Sequence, residues 1–330
     1  MGRCLAVKVI LSSNNGPEEV EMRKVYCETL IGLAESKRPV MALDADLMAG
    51  AGTKAFAERF PERNIDCGIQ EANMYGVAAG LSATGKIPFA HTFAPFCSRR
   101  ACDQIFLSCA YAKLNVKIIG SDPGVTAALN GGTHMPFEDV GIMRTIPQMT
   151  VIEPTDTVML REMITKIADE YGTHYLRLAR RTVTKIYETG STFEIGKAVQ
   201  IRVGSDLTII AAGFCVAEAI KAAALLAKQG ISARVIDMFT IKPIDREAVI
   251  KAAAETGAIV TAENHNILGG LGSAVAEVLA ENLPIPMERI GIRDLFGEVG
   301  PVDYLAERFG LTAGHIVKKA ERVLERKRSC

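Results

Sequence analysis

The sequence contains no apolar run of the ~18 residues that a membrane-spanning helix needs. It has no excess of either charge: 38 Lys and Arg stand against 38 Asp and Glu. With no basic or acidic surplus, nothing marks a nucleic-acid or membrane surface. It also lacks any Cys-x-x-Cys pair. Its eight cysteines (Cys4, Cys27, Cys67, Cys97, Cys102, Cys109, Cys215 and Cys330) are scattered. That spread suits reduced thiols rather than a disulfide framework or a zinc site. The opening MGRCLAVKVILSSNNG has a short apolar patch but neither a full signal-peptide core nor a clear cleavage site. No internal repeat and no low-complexity tract interrupts the chain. A soluble cytoplasmic enzyme or enzyme subunit is the expectation.

What is present points to two α/β domains. A chain of 330 residues, 48% of them hydrophobic, is long for one domain and comfortable for two. PVMALDA at 39–45, NVKIIG at 115–120, MTVIEP at 149–154 and YLRLA at 175–179 read as buried strands. A helix over 71–82 lies among them. Short apolar runs separated by helices imply a mainly parallel sheet covered on both faces. A second series begins with DLTIIAAG at 206–213, followed by an alanine-rich helix over 216–230 that ends on a glycine cap. ARVIDM, AIVTAEN and MERIGI follow as strands. The mixed stretch around 182–205 carries the boundary. We divide the chain into an extension at 1–20, a first domain at 21–185, a linker at 186–200 and a second domain at 201–330. The basic tail VKKAERVLERKRSC reads as a helix end with a solvated charged face.

Four segments in the first domain break the rules of plain packing. Glu71 opens the otherwise apolar helix of NIDCGIQEANMYGVAAGLSATG. A carboxylate there is costly to bury unless paired, though a helix start also favours an acid. Phe93 and Phe96, in AHTFAPFCSRRACDQIF, flank Pro95 and can offer a face to a flat ring, or simply fill a core. GSDPGVTAALNGGTHMPFEDVG follows a strand, where open α/β sheets place ligands. It carries His134, able to donate to a substrate oxygen or move a proton; a loop histidine is also commonly a plain solvated residue. YLRLARR ends with arginines suited to an anion, or to a surface.

Taken in order along one chain, these segments resemble the C-terminal half of transketolase, from about Glu21 to the end. EMRK, ALDADL, GIQEANM, HTFAPF, GGTHMPFEDV, PTD at 154–156, LARR and DMFTIKPID at 237–245 carry the resemblance. The sequence is also similar to deoxyxylulose-phosphate synthase and, more distantly, to the β subunits of 2-oxoacid dehydrogenases. The resemblance implies a thiamine diphosphate-binding fold: a pyrimidine-binding domain followed by a transketolase C-terminal domain. It implies that Glu71 hydrogen-bonds the aminopyrimidine of thiamine diphosphate and favours the tautomer that activates the cofactor. Phe93 and Phe96 then stack on the pyrimidine ring. His134 contacts sugar hydroxyls and serves in catalysis, Arg23 and Arg180 clamp the anionic tail, and Asp46 lies on the cofactor side.

Three positions depart from the pattern. Asp122 stands where the resemblance leads one to expect a histidine, Asn130 where it implies an aspartate, and Gly50 where it implies a phosphate-binding serine. The cofactor half is thus kept and the substrate half, with Asp122 and Asn130, altered. A sulfonate or an unusual branched sugar phosphate fits such a change. The Gly-Asp-Gly motif that in such enzymes holds the diphosphate through a metal does not occur. The resemblance therefore implies no metal ligand on this chain, and a partner subunit that supplies the site for the diphosphate and its Mg2+ or Ca2+. Two copies of each subunit would make a heterotetramer. The runner-up is a 2-oxoacid dehydrogenase β subunit; Arg23, His134 and Arg180 speak for a sugar with an anionic tail instead. A non-catalytic nucleotide-binding subunit is the alternative of another class, suggested by GGLGSAVAEV at 269–278.

Overall fold

The computed structural model describes residues 8–329. Cys330 and the start of the N-terminal patch, with Cys4, lie outside the described residues.

Six strands come from the first half: β1 (Val40–Asp44), β2 (Asn64–Asp66), β3 (Ile87–Phe93), β4 (Lys117–Ser121), β5 (Thr150–Ile152) and β6 (His174–Leu178). Six come from the second: β7 (Val199–Arg202), β8 (Leu207–Ala211), β9 (Ala233–Asp237), β10 (Thr240–Lys242), β11 (Ile259–Asn266) and β12 (Met287–Ile292). The first sheet has the order β10-β5-β6-β4-β3-β1-β2 and the second β12-β11-β8-β9-β7. Pairing is parallel except for β10 on β5 and β7 on β9. Two mainly parallel sheets flanked by helices are what the alternation of apolar runs predicts. Every residue of β1, β4, β6, β8 and β9 is buried, as strands covered on both faces require.

Four strands were not legible as such. β3 carries Pro88, His91 and Thr92, which hide its apolar character. β2, β7 and β10 have only three or four residues. Strand β10 lies inside DMFTIKPID and crosses over to extend the first sheet. The basic tail also differs from expectation. In the helix Ala313–Arg328, Lys319 and Arg326 grip Glu288 at 2.8 Å, with Arg322 at 3.3 Å. Lys327 donates to the carbonyls of Asp206 and Thr256, so this face is partly used for docking rather than solvated.

Asp156 shows how one sequence motif ties elements together. One carboxylate oxygen caps the helix Thr157–Asp169 by accepting from the Met159 amide at 2.9 Å. The other accepts from Ile186 and Tyr187 amides at 3.0 and 2.7 Å and anchors the chain that leads into the second half.

The two halves meet around a buried ion network. Arg177 donates to Asp139 at 2.7 and 2.8 Å, to Glu153 at 3.0 Å and to the Asn264 carbonyl at 3.0 Å. Burial would raise the Asp139 carboxyl, but Arg177 overrides it and holds Asp139 below its ordinary value. Deleting one member of such a buried pair typically costs about 3–5 kcal/mol.

The glycine motif at 269–278 has an internal explanation. The Glu263 carboxylate accepts from the Leu271 and Gly272 amides at 2.7 and 2.8 Å, at the start of the helix Leu271–Asn282. A Cβ on Gly270 would collide with that same carboxylate. The amides a phosphate would use are thus taken by the chain itself, and the glycines serve close packing.

Candidate active site

The four segments singled out from the sequence converge at the C-terminal edge of the first sheet, the position where open α/β sheets bind ligands. Glu71 begins the helix Glu71–Ala83 and is buried. Its carboxylate is paired, as burying a charge at this position requires. Arg100 Nη1 donates to its two oxygens at 2.9 and 2.8 Å. The guanidinium carbon of Arg100 lies 4.2 Å from the centre of the Phe96 ring. A wide π-type turn over Phe96–Arg100 brings these two residues together.

Phe96 is followed in space by His134, edge-on at 5.1 Å, and His134 meets Phe93 edge-on at 5.7 Å. The two phenylalanines stand 6.0 Å apart. Arg180 lies 5.5 Å from the Phe93 ring centre and donates to Asp122 at 2.9 Å. Asn130 Nδ2 reaches the same Asp122 oxygen at 3.2 Å. Burial pushes the Asp122 carboxyl up to about 6, with Arg180 pulling it back toward the ionised form. A Cβ on Gly50 would be 3.7 Å from Arg180 Nη1, so position 50 faces this arginine. Arg23 projects over Gly52 and donates to Glu21 at 2.7 Å and to the Ala49 carbonyl at 3.4 Å.

Glu71, Phe93, Phe96, His134, Arg180, Asp122 and Asn130 therefore form one run of neighbours. Arg23 adjoins it through the 49–52 turn. Asp46 stands apart: it is exposed, in a left-handed backbone conformation, with its amide held by Asp66 at 2.9 Å. Among the described residues no group of three or more His, Cys, Asp or Glu is placed to hold a metal ion.

Three residues in or beside this run had escaped the sequence reading. Arg100 is 29 positions from Glu71, and only the doubled arginine after FAPFCS hints at it. Asn264 comes from β11 of the second half. His91 is buried, edge-on to Tyr26 at 5.2 Å, with no partner for either ring nitrogen. Burial, with Arg180 nearby, drives its pKa down to about 3, so it stays neutral.

Residues 18–185 match the family described as transketolase, pyrimidine binding domain, and residues 196–316 match transketolase, C-terminal domain. The chain is 55% identical over 94% of its length, and 96% of the relative's, to the 6-deoxy-6-sulfo-D-fructose transketolase subunit of Clostridium sp. (strain MSTE9). It is 38% identical over 91% of its length, and 96% of the relative's, to an apulose-4-phosphate transketolase subunit of Phocaeicola vulgatus. A solved split gene transketolase, an inactive beta4 tetramer, superimposes with a TM-score of 0.86 at 43% identity, covering 94% of this chain and 100% of that one. No helix among the described residues is long and apolar enough to cross a membrane. The chain belongs to the transketolase family, as a C-terminal transketolase subunit that carries the pyrimidine-binding domain followed by the C-terminal domain.

Proposed function

We propose that this subunit joins an N-terminal partner to transfer a two-carbon ketol unit from an anionic ketose to an aldose. The observation that carries this reading is the continuous run from Glu71 through Phe96, His134 and Phe93 to the Arg180–Asp122 pair. One end suits a flat cofactor ring and the other an anionic tail.

The family implies thiamine diphosphate, and the residues present fit its aminopyrimidine. The planar guanidinium of Arg100 already stacks on Phe96 and donates to Glu71, the two contacts such a ring would make. Thiamine diphosphate supplies, when bound, the carbon that carries the transferred unit. Glu71 would hold a proton against the ring nitrogen, Phe93 and Phe96 would fix the ring plane, and His134 would hydrogen-bond the sugar. Asp46 would contribute on the cofactor side. The diphosphate, with Mg2+ or Ca2+, is assigned to the partner, in a heterotetramer with two of each subunit.

Because Arg100 occupies the seat, it must yield to the ring. Arg100→Ala is expected to bind thiamine about tenfold more tightly, measured by calorimetry, since a charge-assisted bond no longer has to be broken. Weaker binding in this variant would make Arg100 part of the seat rather than its occupant.

The tail end supports a donor with a single negative charge. Arg23 and Arg180 are each already matched by a carboxylate, Glu21 and Asp122. A sulfonate carries one charge, whereas a phosphate monoester carries about 1.5 to 2 at pH 7. This is in keeping with the sulfonated sugar in the name of the 55% identical relative. The test is reconstitution. The isolated subunit is expected to be inert, and mixing with the partner should yield thiamine diphosphate- and Mg2+-dependent ketol transfer. Turnover of a ketose by the isolated subunit would sink the two-subunit reading.

A further inference from the structure

The loop that carries Asp122, Asn130 and His134 has strained backbone at several positions. Asp122, Gly124 and Ala128 have φ of 55°, 54° and 49°. Such backbone is costly above all for Ala128, with ψ of −117°, and persists only where surrounding contacts over-determine it.

Some of those contacts lie within the first domain, where the Asp122 amide donates to the Leu178 carbonyl and the Gly124 amide to the Pro136 carbonyl, each at 3.1 Å; the others come from the C-terminal domain. Asn264, fully buried on β11, spends both ends of its carboxamide on this loop. Its Oδ1 accepts from the Val125 amide at 2.9 Å and its Nδ2 donates to the Pro123 carbonyl at 3.0 Å. A Cβ on Gly124 would collide with that carboxamide. The pairing of β11 with β12 shifts register between Ala262 and Asn266, an irregularity that re-aims side chains at a sheet's end. Beyond it the Asn266 amide donates to the Phe137 carbonyl at 2.8 Å, and His265 Nε2 accepts from the Gly141 amide at 3.2 Å. One strand end thus grips both ends of the loop.

We infer that Asn264 is a positioning residue for the donor sugar: it fixes the Pro123–Val125 turn and, through it, the neighbouring Asp122 carboxylate that holds Arg180 and Asn130. The C-terminal domain thereby shapes a substrate site to which Asn264 itself makes no contact. The inference rests on the proposal that Asp122, Asn130 and His134 face the donor.

The test uses the reconstituted enzyme with Asn264→Ala and Asn264→Asp. The aspartate keeps an acceptor for the Val125 amide and loses the donor to Pro123. In Asn264→Ala, amide exchange over 122–134 should quicken and KM for the ketose donor should rise about tenfold or more, as expected when buried hydrogen bonds are lost. The dissociation constant for thiamine diphosphate should change several-fold less than KM, because neither Asn264 nor the Pro123–Val125 turn bonds to Glu71 or Phe96, and the cofactor end meets this loop through the far side, at His134. Asn264→Asp should recover part of the KM change. Unchanged exchange over 122–134 overturns the inference about Asn264 itself. Faster exchange with an unchanged KM overturns the donor-facing reading of the loop. Failure of both variants to fold also overturns the inference, by making Asn264 a general scaffold residue.

Discussion

Glu71→Gln is expected to lower turnover of the reconstituted enzyme by at least about a hundredfold, the lower range for a group that moves a proton. Glutamine fills the same volume at the head of the helix Glu71–Ala83 and can still accept one hydrogen bond. What it lacks is a proton that can be shared with a ring nitrogen. The substitution also removes the charge that now holds Arg100 at 2.8 Å, so Arg100 is released from the seat. Cofactor affinity is therefore expected to fall less than turnover, because the lost ring contact is offset by the loss of an internal competitor. Turnover and thiamine diphosphate binding measured on the same preparation separate the two effects. Near-normal turnover with Glu71→Gln would move the proton role to another residue. A fall in affinity as large as the fall in rate would make Glu71 a binding residue only.

Much of this site was legible because its parts are local in sequence. Apolar runs give β1, β4, β6, β8 and β9, since a strand buried on both faces is mainly apolar and its buried charges, such as Arg177, are paired. A buried carboxylate opening an apolar helix, two phenylalanines around a proline, and arginines at a strand's end are each a visible violation of packing rules. The illegible parts are those made by long-range pairing. Arg100 finds Glu71 only after a π-type turn brings it back over Phe96. Asn264 reaches Val125 across 139 positions, and nothing in AIVTAENHN reveals that its asparagine is aimed at another domain. Strand β10 has three residues and is a strand only because β5 offers it an edge. The partner that burial of Glu71 calls for is likewise a neighbour in space rather than along the chain.

The altered substrate end yields the second large effect. In a panel of phosphorylated, sulfonated, branched and uncharged ketoses, a donor with a singly charged tail is expected to be turned over best. Arg180→Ala should raise KM for that donor by about tenfold to a hundredfold, the worth of a charge-assisted hydrogen bond, with little change in cofactor affinity. Asp122 sets which anion is preferred. Its carboxylate lies 2.9 Å from Arg180, cancels much of that arginine's charge, and adds a negative field that repels a second charge on the ligand. Asp122→His and Asp122→Asn should both shift the ratio of kcat/KM values toward sugar phosphates by about tenfold, a modest fraction of the unscreened interaction of two charges this close. The pH dependence follows in sign. An acid whose pKa is raised to about 6 is ionised above that pH and increasingly neutral below it. As pH falls through 6, Asp122 stops cancelling Arg180, so discrimination against phosphate donors should narrow in the native enzyme. It should stay flat in Asp122→Asn, apart from the phosphate's own second ionisation, which the variant reports directly. Best turnover of an uncharged ketose, insensitive to Arg180→Ala, would remove the anion clamp altogether. Best turnover of an ordinary pentose or hexose phosphate, unaffected by Asp122→Asn, would keep the clamp and strip Asp122 of its part in specificity.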